Sequence, residues 1–500
     1  MSFPMKLLLF TALGLALLIA LIVALYIVSA ARLSSGTVNI ARNYAAEINE
    51  QYTKPDAEDP AWPHYLDAFA YIIDRDSPAR LVYELDLTPD QPAAATFREW
   101  LAENPGYREA LLTGASRPAT GFRISDAENP LYAERFGRYV DKEPSENPIL
   151  INTLLPQLGM MRDFTRTLRA HAALAIADGR PDIFLEDVRA MLAIAEHSAQ
   201  PPMVISQIVR YAMISHVHDT VCRAIHRSPE HFDDASLNEL ARLLDRIDLD
   251  SLTPSLTVER MSFEDILQRA FTDDGQGDGR ITAEGIELIS TVMFDMNPGV
   301  LEKQMMPLVA GFYPSRAEAL ARFNMFADAI EKRASQPVHE RAHDPTIDDI
   351  EVESRLFGML EIDLAIMFLP SFNRMLVMGE HSKQMVIATR AAVALERFRR
   401  DHVHYPATLD ELVPDFLDTL PIDRATGGPL VYRLDNNTPI LYSVGLNYTD
   451  NGGDHNHLSW MRWLPPEELA RRLQLDPVPD NLPTGDWVYY PPPPPPSRGN

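Results

Sequence analysis

The sequence predicts a mainly α protein in three parts: a single N-terminal transmembrane helix, a body of α-helical hairpins, and a small α+β module near the C-terminus. Three observations carry that prediction. Residues 7–30, LLLFTALGLALLIALIVALYIVSA, hold no charge. The middle of the chain alternates helix-length segments with short Gly/Pro breaks. Between 405 and 455 the texture changes to strand and turn punctuation. The organisation read from these signals is an anchor over 1–31, short helices and loops over 32–150, a helical body over 151–380, an α+β module over 381–470 and a Pro-rich tail over 471–500.

The apolar run is long enough to span. Twenty-four helical residues rise about 36 Å, against a hydrocarbon core of roughly 30 Å. A cleavable signal peptide has a shorter apolar region, so the segment is read as an uncleaved anchor despite the small residues Ser29, Ala30 and Ala31. A short tail before a long body favours an inner-membrane, single-pass arrangement with the bulk of the chain outside the cytoplasm. Of the charges, only Lys6 precedes residue 32, so this exported body holds 44 basic against 71 acidic residues, a net charge of −27.

Composition excludes several classes. With 71 acidic against 45 basic residues and no basic run, nucleic acid is not an expected partner. The single cysteine, Cys222, forms no intramolecular disulfide and rules out a multi-Cys metal site. No Gly-rich phosphate loop or G-x-S-x-G elbow is present. The expected partners are the membrane, through residues 7–30, and other proteins.

Local signals then place the helices. Residues 37–52 read as a short amphipathic helix leaving the membrane, stopped by Pro55. The Pro-rich stretch from 55 to 150 reads as short helices broken by loops. A helix over 163–178 stops at Asp178-Gly179, and Pro181-Asp182 starts the next, which runs to about Ser198. Pro201-Pro202 breaks the chain before a third helix, with Ile205, Ile208, Val209, Ala212 and Val217 on one side. Helical signal continues over 236–270 and 315–334. The apolar segment LFGMLEIDLAIMFLP contains Glu361 and Asp363, so it reads as a buried or partner-facing helix and not as a span.

The most specific pattern lies near the C-terminus. An amphipathic helix, QMVIATRAAVALERFRRDH, places Ile387, Ala391, Ala394, Leu395 and Phe398 on one stripe. It leads to Tyr405-Pro406, Leu409, Leu412-Val413, Leu420-Pro421, Asp423, Gly428-Pro429, Tyr432, Tyr442-Ser443, Gly445, Asp450 and Gly453. This order and spacing resembles the globular part of the major pseudopilins of type II secretion. The resemblance implies a small α+β module whose acidic loop holds calcium. Asp450 and Asp454 would then supply carboxylates, with backbone carbonyls near Leu446 and Asn447. The alternative for the same residues is an Asn/Asp/Gly hairpin turn.

A second acidic loop, in SFEDILQRAFTDDGQGDGRITAEGIELIS, resembles an EF-hand. Asp274, Gln276 and Asp278 take the first, third and fifth positions, Gly279 the sharp turn and Ile281 the buried position. Gly285 stands where the bidentate Glu belongs, so the alternative is a helix–turn–helix loop with Thr282 capping the second helix. A third motif, His339-Glu340-Arg341-Ala342-His343, matches H-E-x-x-H. It would place zinc on His339 and His343 with Glu340 as general base, or form a charged linker between Pro337 and Pro345. The functional expectation is a membrane-anchored extracytoplasmic binding or assembly scaffold stabilised by calcium. The rival is a membrane-anchored zinc-dependent hydrolase.

Overall fold

The computed structural model describes residues 33–73, 77–82, 87–126, 145–273, 279–294, 310–340, 369–445, 449–453 and 486–492, with isolated positions elsewhere. Most of the apolar run at 7–30, and all but Leu364 of the segment 341–368, lie outside the described residues. Among the described residues no helix is long and apolar enough to cross a membrane.

Helices dominate. The N-terminal third holds α1 (Tyr44–Ile48), α2 (Ala61–Ala70), α3 (Pro92–Glu103) and α4 (Pro105–Ala115). The body follows with α5 (Pro156–Ala177), α6 (Pro181–Ser198), α7 (Val204–Arg227), α8 (Asp234–Asp245), α9 (Thr257–Ala270), α10 (Ala283–Phe294) and α11 (Arg316–Ser335). Among the described residues the last helix, α12 (Leu369–His402), is also the longest.

Sequence chemistry explains the ends. Pro156 and Pro181 occupy the first turns of α5 and α6, where a missing N–H costs nothing. Gly179 takes φ +70°, the left-handed conformation that ends α5, while the Arg180 N–H returns to the Ala175 carbonyl. Asp233 caps α8 through the Ser236 N–H, and Ser315 with Glu318 forms a capping box on α11.

The α5–α6 and α6–α7 hairpins bury Phe164, Leu168, Phe184, Val188, Met191 and Val221. Helix α12 runs in the same direction as α7: Tyr211 meets Gly379 near one end, and His218 meets Thr389 further along. It is buried on several sides, with Ala388, Ala391, Ala392, Leu395 and Phe398 in the core. Beyond it a three-stranded antiparallel sheet is ordered β1 (Val431–Asp435), β2 (Thr438–Ser443), β3 (Trp487–Tyr490). Val431 faces Tyr442 across β1–β2, and Ser443 faces Trp487 across β2–β3.

Two expectations change. Residues 37–52 are not one helix. Ser34 and Val38 sit in isolated β-bridges, Asn43 caps α1 through the Ala46 N–H, and a π turn over Asn49–Thr53 ends at left-handed Lys54. The physical reason is backbone pairing: Ser34 bridges to Thr282 and Val38 to Thr272, which removes those residues from any helix. Nor is 471–500 all tail. Trp487, Val488, Tyr489 and Tyr490 form a buried strand, because the aromatic run before the prolines fills the groove beside α12.

Candidate functional site

The three loops singled out by the sequence have different fates. In the EF-hand-like segment, Asp274, Gln276 and Asp278 lie outside the described residues. Its frame is a backbone ribbon. Phe271 pairs with Ile281, both buried, and the Thr272 N–H donates to the Arg280 carbonyl at 2.9 Å. The Thr282 N–H reaches the Ala270 carbonyl at 2.9 Å, while the Thr282 hydroxyl accepts from the Gly285 N–H at 2.9 Å. Thr282 thus caps α10. A Cβ on Gly285 would lie 2.1 Å from the Ala270 oxygen, so no side chain fits at the twelfth position without moving the ribbon. Asp273 accepts from the Gly275 N–H and pairs with Arg316 at 3.0 Å.

The C-terminal acidic loop is built the opposite way, around carboxylates. Asp454, Leu446 and Asn447 lie outside the described residues. Asp450 accepts from the Tyr442 hydroxyl at 2.9 Å and the Gly452 N–H at 2.8 Å. Burial, aided by that bond to Asp450, pushes the Tyr442 phenol up to about 12. Across the loop, Asp486 accepts the N–H groups of Asn451 and Gly453, at 3.0 and 2.6 Å. Burial raises the Asp486 carboxyl above its ordinary value, against those two bonds. Asp423, fully buried, accepts from the Ser443 hydroxyl and the N–H groups of Val444 and Ala425. Sequence reading missed Asp486. Its signal was a lone Asp just before the Trp-Val-Tyr-Tyr run, separated from its loop by more than thirty residues.

At the H-E-x-x-H segment, Arg341, Ala342 and His343 lie outside the described residues. His339 and Glu340 sit in a 3-10 turn, Val338–Glu340, after α11 has ended. The His339 ring lies against Gly427, and its Nδ1 and its backbone N–H each reach the Arg424 carbonyl at 3.2 Å. The described half of the motif therefore lacks the helix that would put two imidazoles one turn apart. Among the described residues no three His, Cys, Asp or Glu side chains are grouped to hold a metal ion.

A buried polar cluster centres on residues outside every motif that the sequence singles out. Helix α12 carries Glu380-His381-Ser382-Lys383-Gln384 through the middle of the molecule. The side chains of Glu380 and Lys383 are only 3% and 4% exposed. Arg424 grips Glu380 with two nitrogens, at 2.8 and 3.2 Å. The Lys383 ammonium donates to Thr253 at 2.8 Å. Gln384 accepts from the Arg424 N–H at 2.7 Å and donates to the Ile422 carbonyl at 3.1 Å. Four segments far apart in sequence meet here: 250–253, 338–340, α12 and 422–428. A buried charge paired and hydrogen-bonded this fully is costly to break, and its geometry fixes register. Five consecutive polar residues, Glu380 to Gln384, between the apolar runs at 375–378 and 385–388 were the available signal.

No family model, curated protein or solved structure matches the chain. The functional reading therefore rests on the geometry. Its buried polar groups clamp the C-terminal module to the helical body.

Proposed function

We propose that the chain is a membrane-anchored scaffold acting outside the cytoplasm, which presents its helical body and C-terminal module as one fixed unit near the membrane surface. The observation that carries this reading is the fastening of the chain just after the apolar run. The Ser34 N–H donates to the Ile281 carbonyl at 2.9 Å, and Ser34 and Val38 bridge to the 271–282 ribbon. Gln268 then holds both the N–H and the carbonyl of Arg42, at 3.1 and 2.9 Å. Only three residues separate position 30 from Ser34, so an anchor at 7–30 leaves the body no long tether.

The pseudopilin-like order of helix, loops and strands over 384–453 supports a role in assembly with other proteins. In this reading calcium stiffens the loop at Asp450. Protein partners are expected on exposed helical faces.

Carbonate extraction of membranes, followed by protease added from the extracytoplasmic side, tests the reading. The full-length chain should stay in the pellet and lose the region from about residue 32 onward to the protease. Release by carbonate, or complete protection of the body, would contradict it.

A further inference from the structure

The C-terminal strand is buried by an unusual set of neighbours. Trp487 stands 4.6 Å from the His381 ring, Tyr489 stands 5.6 Å from His218 and 5.9 Å from His381, and Tyr490 stands 5.7 Å from His226. Three imidazoles, two from α7 and one from α12, thus face one aromatic row. The backbone holds this row by a single ladder to β2, interrupted by an irregularity at Leu441/Tyr442. We propose that residues 486–490 form a pH-released strap: protonation of the histidines facing its aromatic row lifts the strand from the groove between α7 and α12.

Neutral imidazoles suit this interface. His218 shares a 2.7 Å hydrogen bond with Thr389, deep in the core. Burial depresses the His226 imidazole below its ordinary value, and Arg227 and Arg223 depress it further. The other charges facing the strap do not offset a new cation. From α12, Glu396 is held by Arg399, and Glu380 by Arg424. Asp219 on α7 bears on the buried Cys222 thiol, which burial pushes up. Tyr405 donates to Glu396 at 3.3 Å and is hydrogen-bonded to Tyr490. From the strap's own end, Asp486 is occupied by the N–H groups of Asn451 and Gly453. A positive imidazole is short of water at buried His218 and sits beside the Arg227 and Arg223 guanidiniums at His226, so it favours the undocked strand.

Release would uncover the β2 edge and the aromatic groove together, while the ladder between β1 and β2 stays in place. The cell exterior is where pH varies most, which would give such a strap a use in the scaffold, but the device itself does not depend on that reading.

Hydrogen exchange on the full chain in detergent, between pH 7.5 and 4.5 and corrected for intrinsic rates, tests the proposal. Below the transition, the opening constant of the amides at 487–490 should rise about tenfold per pH unit if one imidazole titrates and about a hundredfold if two do. Amides of α6 should not change in step. The midpoint should fall below 6.5, the ordinary histidine value. The variants His226→Gln and His381→Gln, singly and together, should flatten the transition, while Tyr489→Phe should keep it. Protection independent of pH would overturn the proposal. So would a transition that survives when His218→Gln is added to the double variant, which would assign it to Asp486, or one shared equally by α6. Should the double variant fail to fold, the single variants and the midpoint of the parent chain still decide.

Discussion

The helical body and the C-terminal module are held together by different physics. The α5–α6–α7 hairpins close over side chains such as Phe164, Phe184, Val188 and Met191, all buried and apolar. The module closes over acceptors: Asp423 and Asp486 gather backbone N–H groups, and Glu380 takes the Arg424 guanidinium. The two acidic loops repeat the contrast. The loop at 271–285 is tied by backbone and Thr282, whereas the loop at 449–453 is tied by Asp450 and Asp486. Apolar packing tolerates neutral changes of similar volume, but buried acceptors leave donors stranded when removed. The module should accordingly be the more sensitive half to loss of charge.

Removing the clamp should have the largest effect. Arg424→Ala removes both guanidinium hydrogen bonds from the buried Glu380 carboxylate, leaves it Lys383 at 3.9 Å, and should lower stability by about 3 kcal/mol, read by chemical denaturation. A loss under about 1 kcal/mol would mean that the pair is solvated and that the contrast fails.

Next comes the loop that looks most like a calcium site. Gly285→Glu supplies the missing twelfth-position carboxylate, yet its Cβ would press into the Ala270 carbonyl. It should cost about 3 kcal/mol with or without calcium. Rescue by millimolar calcium would show that the ribbon opens into a true EF-hand and would erase the distinction between the two loops.

The body supplies a counterexample with the opposite sign. Glu259 on α9 is buried, accepts from the Val204 N–H at the start of α7, and leaves its Oε2 without a hydrogen-bond partner. Burial pushes its carboxyl up to about 8. Its folded form keeps a proton that the unfolded chain releases near 4.5, so this group makes stability fall as pH rises from 4.5 to about 8. Glu259→Gln should remove that decline and gain about 5 kcal/mol above pH 8, with little change near pH 4.5. An equal change at both pH values would mean that the carboxyl is already charged in the fold.

Calcium should act most gently. An ion at ten times its Kd stabilises a single site by about 1.4 kcal/mol, and magnesium should do less. The gain should vanish in Asp450→Asn and persist in Asp273→Asn. The reverse pattern would move the ion to the 271–285 loop.

Much of the body was legible because its signals are local. Gly179 with Pro181 marks one hairpin and Pro201-Pro202 the next, and the apolar residues between them repeat at helical spacing. The strands at 431–443 were foreshadowed by the Tyr-rich texture around the Asn436-Asn437 turn, where both residues take positive φ. What stayed hidden depends on partners far along the chain. Glu380 and Arg424 lie 44 residues apart, and Asp486 reaches back 33 to 35 residues to the loop it closes. Ser34 finds its bridge at Thr282. Periodicity records which face is apolar, but not which distant donor an acid will meet. The WVYY run before Pro491 was read as tail because six prolines follow it, although four consecutive buried residues there complete the sheet.

Scanning calorimetry of the full chain in detergent addresses the central claim, that body and module form one clamped unit. The parent protein should show a single cooperative transition, which separates into two in Arg424→Ala as the module melts first. Two transitions already present in the parent, or a single transition left unmoved by Arg424→Ala, would contradict it.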